Sequence, residues 1–200
     1  MHTTIKTSLL GMQFRSDRAG MFRTLITFSI LLVCISGCAP PKSLESLVVD
    51  SKVIFEDRLV GNWLLEADKN SGKMIISKSG EKSYSIVTEE KDSGTTPKLD
   101  AFLMAVDKRK YLDLSRKLKS GTTVHTFVRI TFEGRDRFGI DFPVIGKLSE
   151  KFGKLKTTVV RNDDGTTEEV LADSTVDLWK WYLLAGQMDC YGKKYYFCRQ

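Results

Sequence analysis

His125 must carry any histidine chemistry in the body of this chain, because the only other histidine is His2. A Ser-His-Asp or Cys-His arrangement needs such a ring beside a nucleophile presented on a sharp turn, and no Gly-x-Ser-x-Gly stretch occurs. His125 stands between Val124 and Thr126 in a run of β-forming residues, which predicts a strand histidine with a satisfied hydrogen bond. Asp113, in Tyr111-Leu112-Asp113-Leu114, and Asp141, in Gly139-Ile140-Asp141-Phe142, each sit among apolar residues. Two carboxylates roughly 5–10 Å apart are able to divide acid and base work between them; strand alternation instead predicts that both face solvent. A zinc site would have to combine the single histidine with carboxylates alone. No catalytic residue, metal site or cofactor follows, and the chain reads as a binder rather than an enzyme.

The four cysteines divide into two pairs. Cys34 and Cys38 belong to the N-terminal segment. There Arg15, Arg18 and Arg23 supply positive charge ahead of eleven uncharged residues, Leu25 to Ile35. A helix needs about 20 apolar residues to cross a bilayer core, so this shorter run describes a secretory signal peptide. Its end, Ile35-Ser36-Gly37-Cys38, resembles the lipobox of bacterial lipoproteins: small residues that a peptidase pocket accepts, then a thiol that takes acyl chains, palmitate among them. The resemblance implies a leader of residues 1–37, cut before Cys38; Met12 or Met21 would give a start of more usual length. Each buried methylene contributes about 0.8 kcal/mol and one chain holds only reversibly, so several chains on Cys38 anchor the protein for good. Ala39 follows, where an aspartate would resemble an inner-membrane retention signal. The expected place is therefore the bacterial cell envelope, as an outer-membrane lipoprotein facing the periplasm. Residues 38–57 make up the acylated cysteine, a short tether through Pro40 and Pro41, and a lead-in segment.

The other two thiols, Cys190 and Cys198, are expected to pair in that oxidising compartment. The intervening stretch contains Gly192 and can turn, so residues 187–200 read as a C-terminal disulfide hairpin.

Removing the leader leaves 163 residues, enough for one well-buried core. The formal charge falls from +6 to +3, with 27 Lys+Arg against 24 Asp+Glu. No dense basic run is interleaved with aromatics, which argues against nucleic acid as a partner.

Between these ends the chain alternates short β-stretches with turn residues. Strands are predicted over 58–66, 73–77, 83–89, 99–106, 111–115, 122–132 and 137–142, with a further hairpin over 156–160 and 166–170. Tyr84, Ile86 and Thr88 share a face; so do Phe102, Met104 and Val106, and Val124, Val128, Ile130 and Phe132. Helical spacing appears over 143–152 and 173–185. The second helix places Val176, Trp179 and Leu183 on one stripe, and Ser174 and Asp177 stand in capping-box positions. Trp179, Trp181 and Tyr182 read as the aromatic face that docks it. The expected fold is mainly β, an antiparallel barrel or strongly curved sheet over 58–186 with one or two helices late in the chain.

Leu59-Val60-Gly61-Asn62-Trp63 resembles the Gly-x-Trp start of lipocalins and related calycin barrels. That resemblance implies that Gly61 and Trp63 close one end of a barrel and that an arginine from a late strand packs across the indole; Arg129 holds the corresponding position. It also implies a bound small apolar or lipid ligand inside the barrel. The other expectation is a protein-interaction module, an accessory subunit or inhibitor for another envelope protein. The membrane, through Cys38, is the remaining partner.

Overall fold

Residues that alternate in and out, cut by glycine and charged turns, are built to make a meander. The computed structural model describes residues 40–67, 73–90, 94–95, 98–152, 155–188 and 190–200. The leader and Cys38 lie outside them. Two short strands, β1 (Lys42–Ser43) and β2 (Val53–Ile54), come first. Then follow β3 (Gly61–Leu65), β4 (Lys73–Lys78), β5 (Ser83–Glu90), the short β6 (Gly94–Thr95), β7 (Leu99–Val106), β8 (Arg109–Lys117), β9 (Thr123–Phe132) and β10 (Arg137–Asp141). Helix α1 (Ile145–Phe152), the hairpin β11 (Thr157–Arg161) and β12 (Thr167–Leu171), helix α2 (Thr175–Gln187) and β13 (Tyr195–Arg199) complete the chain.

Eight strands close into an antiparallel barrel in the order β3, β4, β5, β7, β8, β9, β10, β13 and back to β3. Cross-strand pairs on the inner face carry the stability: Ile76 opposite Ile86, Leu103 opposite Leu112, Leu112 opposite Val128, and Phe138 between Phe132 and Phe197. Trp63, Leu65, Tyr84, Ile130, Phe138 and Phe197 are all buried in this one cluster. Phe138 meets Trp63 edge-on at 4.6 Å and stacks on Phe197 at 5.1 Å, so aromatic rings pack side by side along the inner face of β10, β13 and β3.

A second layer covers the outside of β7, β8 and β9. Helix α2 lays Leu178, Tyr182 and Ala185 against Met104, Tyr111 and Phe127. Ser174 caps it as expected, accepting from the Asp177 amide at 3.3 Å and donating to its carboxylate at 2.7 Å. The buried stripe is rotated from the predicted one. Val176 is exposed, while Trp179 sits at the edge and donates its indole N–H to the Leu47 carbonyl. The rotation arises because the helix packs on two partners, the sheet and the lead-in segment around Leu47.

The C-terminus departs most from expectation. Residues 195–199 form the eighth stave, β13, rather than an appended hairpin, so the barrel runs beyond residue 186. Both thiols are free. Tyr191 stands opposite Pro143 and Cys198 opposite Arg137, the far ends of one strand. At about 3.3 Å per residue that separation is roughly 20 Å, far beyond the roughly 7 Å Cα separation a disulfide spans. Cys190 lies under α2, and Cys198 contacts the Leu64 carbonyl.

Candidate functional site

The residues at one end of the barrel come together from three separate stretches, 57–63, Arg135 and Arg199. A 3-10 turn, Asp57–Leu59, caps that end. Trp63 donates its indole N–H to the Leu59 carbonyl at 2.9 Å. The arginine across the indole is Arg199 of β13, not Arg129. Its guanidinium carbon lies 4.5 Å from the ring centre, and it donates to the carbonyls of Arg58, Val60 and Arg135. Gly61 has φ 151°, and a Cβ there would come within 2.4 Å of that guanidinium, which explains the glycine.

Arg129 does something different. It points outward from β9 and binds Asp141 on the neighbouring strand through two bonds, 2.8 and 2.6 Å. Its guanidinium also lies over the Tyr191 ring at 3.7 Å. Asp141 is therefore buried and paired rather than solvent-facing. Asp113 is buried too, and the predicted outward geometry holds; what changes is that the outer face of β8 is roofed by α2 and the lead-in segment. Asp113 accepts from Ser46 Oγ at 2.6 Å and faces His125 Nδ1 at 2.9 Å. In that order the carboxylate sits between the hydroxyl and the ring. Ser46 has its proton on Asp113, not on the imidazole, so the trio pins the lead-in segment instead of activating a nucleophile. Among the described residues no three His, Cys, Asp or Glu side chains converge as metal ligands.

Beside the capped end lies a cleft of about 500 Å³, lined by Arg58, Lys108, Arg109, Lys110, Arg129 and Lys194 over a floor that includes Ile130, Thr131 and Phe132. The register explains the gathering. Lys110 stands opposite Ile130, so the turn between β7 and β8 projects level with Phe132 at the end of β9. That turn has both central residues at positive φ, Asp107 at 47° and Lys108 at 64°. A two-residue turn of this hand matches strand twist and ordinarily uses Asn-Gly; lysine there costs on the order of 1 kcal/mol of backbone strain.

Glu56 organises one wall. It takes Arg58 in a two-pronged contact of 2.8 and 3.0 Å and Lys110 at 2.5 Å. Those Arg58 bonds hold the Glu56 carboxyl down to about 2 against the opposing effect of burial, and Lys110 adds to them. Both cations rest on the Phe132 ring, at 4.7 and 4.9 Å from its centre. The Glu56 amide donates to the Tyr84 hydroxyl at 2.7 Å, and burial pushes that hydroxyl up to about 12. On the opposite wall Arg109 donates to the Gly186 carbonyl at the end of α2, where the helix dipole favours a cation. Lys194 reaches Thr131 Oγ1 at 3.5 Å.

The cleft was not visible as a site in the sequence. Lys108-Arg109-Lys110 reads as a charged turn, and Arg58, Arg129 and Lys194 lie 65 to 136 positions apart in the chain. No protein-family model matches the chain, and no curated protein sequence or solved structure is detectably similar to it.

Proposed function

We propose that the chain is a lipocalin-like lipoprotein of the bacterial envelope, anchored to the outer membrane by acyl chains on Cys38, that acts by binding at its outer surface. The leader and the Ile35-Ser36-Gly37-Cys38 stretch support the anchor and the compartment. The pairing of Trp63 with the capping turn and with Arg199 supports the lipocalin-like reading.

One observation separates an outer-surface binder from a carrier: large side chains occupy the barrel interior. The side chains that point into it are sealed from water: Trp63, Leu112, Val128, Ile130, Phe138 and Phe197 are each 4% exposed or less. A drug-sized apolar ligand needs a pocket of roughly 300–1,000 Å³. The cationic cleft has that size, but six of the nine residues lining it are basic, and it meets the barrel's apolar cluster at its floor, through Ile130 and Phe132. Its lining favours an anionic partner, and an accessory role beside other envelope components follows from the anchor.

Native mass spectrometry of the acylated protein, released from detergent, tests this. The expected mass is that of the acylated chain alone. An apolar molecule bound one-to-one, and displaced when Val128 is replaced by Trp, would return the carrier reading.

A further inference from the structure

We propose that the cationic cleft is a binding site for a phosphoryl group, presented in the envelope by an anionic lipid headgroup. The inference rests on the outer-surface reading above and names what that surface takes.

Charge carries the argument first. Six cations line the cleft, and two carboxylates answer them: Glu56 engages Arg58 and Lys110, and Asp141 engages Arg129. Among the described residues, Lys108, Arg109 and Lys194 form no ion pair. Of the other acids nearby, Glu133 pairs with Arg137 and Asp136 with Arg199, while Asp107 shares the turn with Lys108. A local excess of three positive charges repels itself, and it gathers around a turn that keeps a lysine at φ 64°. Strain and unbalanced charge at one point mark a site built for a ligand rather than for stability.

The anion's class follows from the donors. A phosphodiester headgroup carries one full negative charge on two unesterified oxygens and a terminal phosphate about −1.5 to −2 on three; the tetrahedral oxygens of either suit two lysines and a guanidinium fork better than a planar carboxylate does. The Ile130–Phe132 floor offers apolar area for whatever the phosphate is esterified to.

Geometry favours the headgroup as the source. The antiparallel register of Lys42 with Thr126 carries the chain before it toward the Arg129 end of β9. Cys38 is two residues before Pro40, a reach of at most about 7 Å. An acylated Cys38 therefore keeps this side of the barrel close to the headgroup layer.

The test uses the full chain carrying Cys38→Ser, so that membrane association reports the cleft and not the anchor. Sedimentation with phosphatidylglycerol vesicles, with phosphatidylcholine vesicles as the comparison, is measured at about 0.1 M salt, where the Debye length is about 10 Å. Lys108→Ala with Lys194→Ala should weaken phosphatidylglycerol binding by about thirtyfold. Lys119→Ala with Lys147→Ala removes the same charge from exposed positions elsewhere and should leave binding nearly unchanged. Calorimetric titration with inorganic phosphate forms the second arm. Saturation by phosphate that is lost in the Lys108 and Lys194 variant, without vesicle binding, supports the site and makes a free phosphate its source. No binding in either arm, or equal losses in the two double variants, overturns the proposal. An apolar cargo in the barrel interior would defeat the outer-surface reading without altering these titrations, so the two failures are distinguishable.

Discussion

The guanidinium of Arg199 covers the indole of Trp63 and, in the same position, binds three backbone carbonyls of the turns that cap the barrel. The last strand is thereby locked to the first. Stacking alone contributes about 0.5–1 kcal/mol at a half-exposed site, but each carbonyl left without its donor adds to the loss. Arg199→Ala should lower stability by roughly 2–3 kcal/mol, read as a shift in the urea midpoint. Arg199→Lys should recover little, since one ammonium cannot span three acceptors and the ring face. A midpoint that stays in place in both variants would show that the cap is held by something else.

The Ser46–Asp113–His125 cluster gives a second expectation. Asp113 is only 1% exposed, so its carboxylate depends on its two partners. Asp113→Ala should cost about 3 kcal/mol and Ser46→Ala about 1 kcal/mol. A double-mutant cycle should show coupling, because both changes free the lead-in segment that also meets Trp179 through Leu47. Strict additivity would mean that the segment docks through Leu47 alone.

The barrel was legible in the strand residues because apolar inward positions recur every second residue over 83–89, 111–115 and 122–132, even where both faces are buried, as over 111–114. What failed depended on pairs far apart in sequence. Cys190 and Cys198 are eight positions apart and suggested a closed loop; Tyr195-Tyr196-Phe197 is strongly β-forming and pairs instead with β10 and β3, carrying the thiols apart. Arg129 and Arg199 both follow from late strands, and spacing alone does not tell them apart. Only register does: Asp141 opposite Arg129 captures one, leaving Trp63 to the other. Asp113 looked solvent-facing because alternation reports which face a residue takes, not what later covers that face.

Free thiols make a direct measurement. Protein purified without reductant and then unfolded should take up one alkylating group at Cys190 and one at Cys198, and its unmodified mass should show no loss of two hydrogens. Replacing both with serine should leave the fold intact, at a cost of about 1 kcal/mol for the buried Cys190. An intact Cys190–Cys198 disulfide in the native protein would contradict the pairing of β13 with β10.

Glu56 makes the capped end sensitive to acid. Its carboxyl titrates near 2 in the folded chain and near the ordinary 4.5 when unfolded. A depressed folded value means the unfolded state takes up the proton first, so the carboxylate's contribution is complete above about pH 4.5 and is lost as pH falls toward 2. Glu56→Gln keeps the side chain's shape but releases Arg58 and Lys110 from their common partner. The stability difference between wild type and Glu56→Gln should therefore be constant from neutral pH down to about pH 5 and shrink steadily below it. Raising the salt should shrink it as well, because the three groups are part-exposed and screened. Urea midpoints measured from pH 7 to pH 2.5 check the sign. A difference that grows on acidification would mean that Glu56 is stabilised in its protonated form, and that Arg58 and Lys110 are held on Phe132 by the ring rather than by the carboxylate.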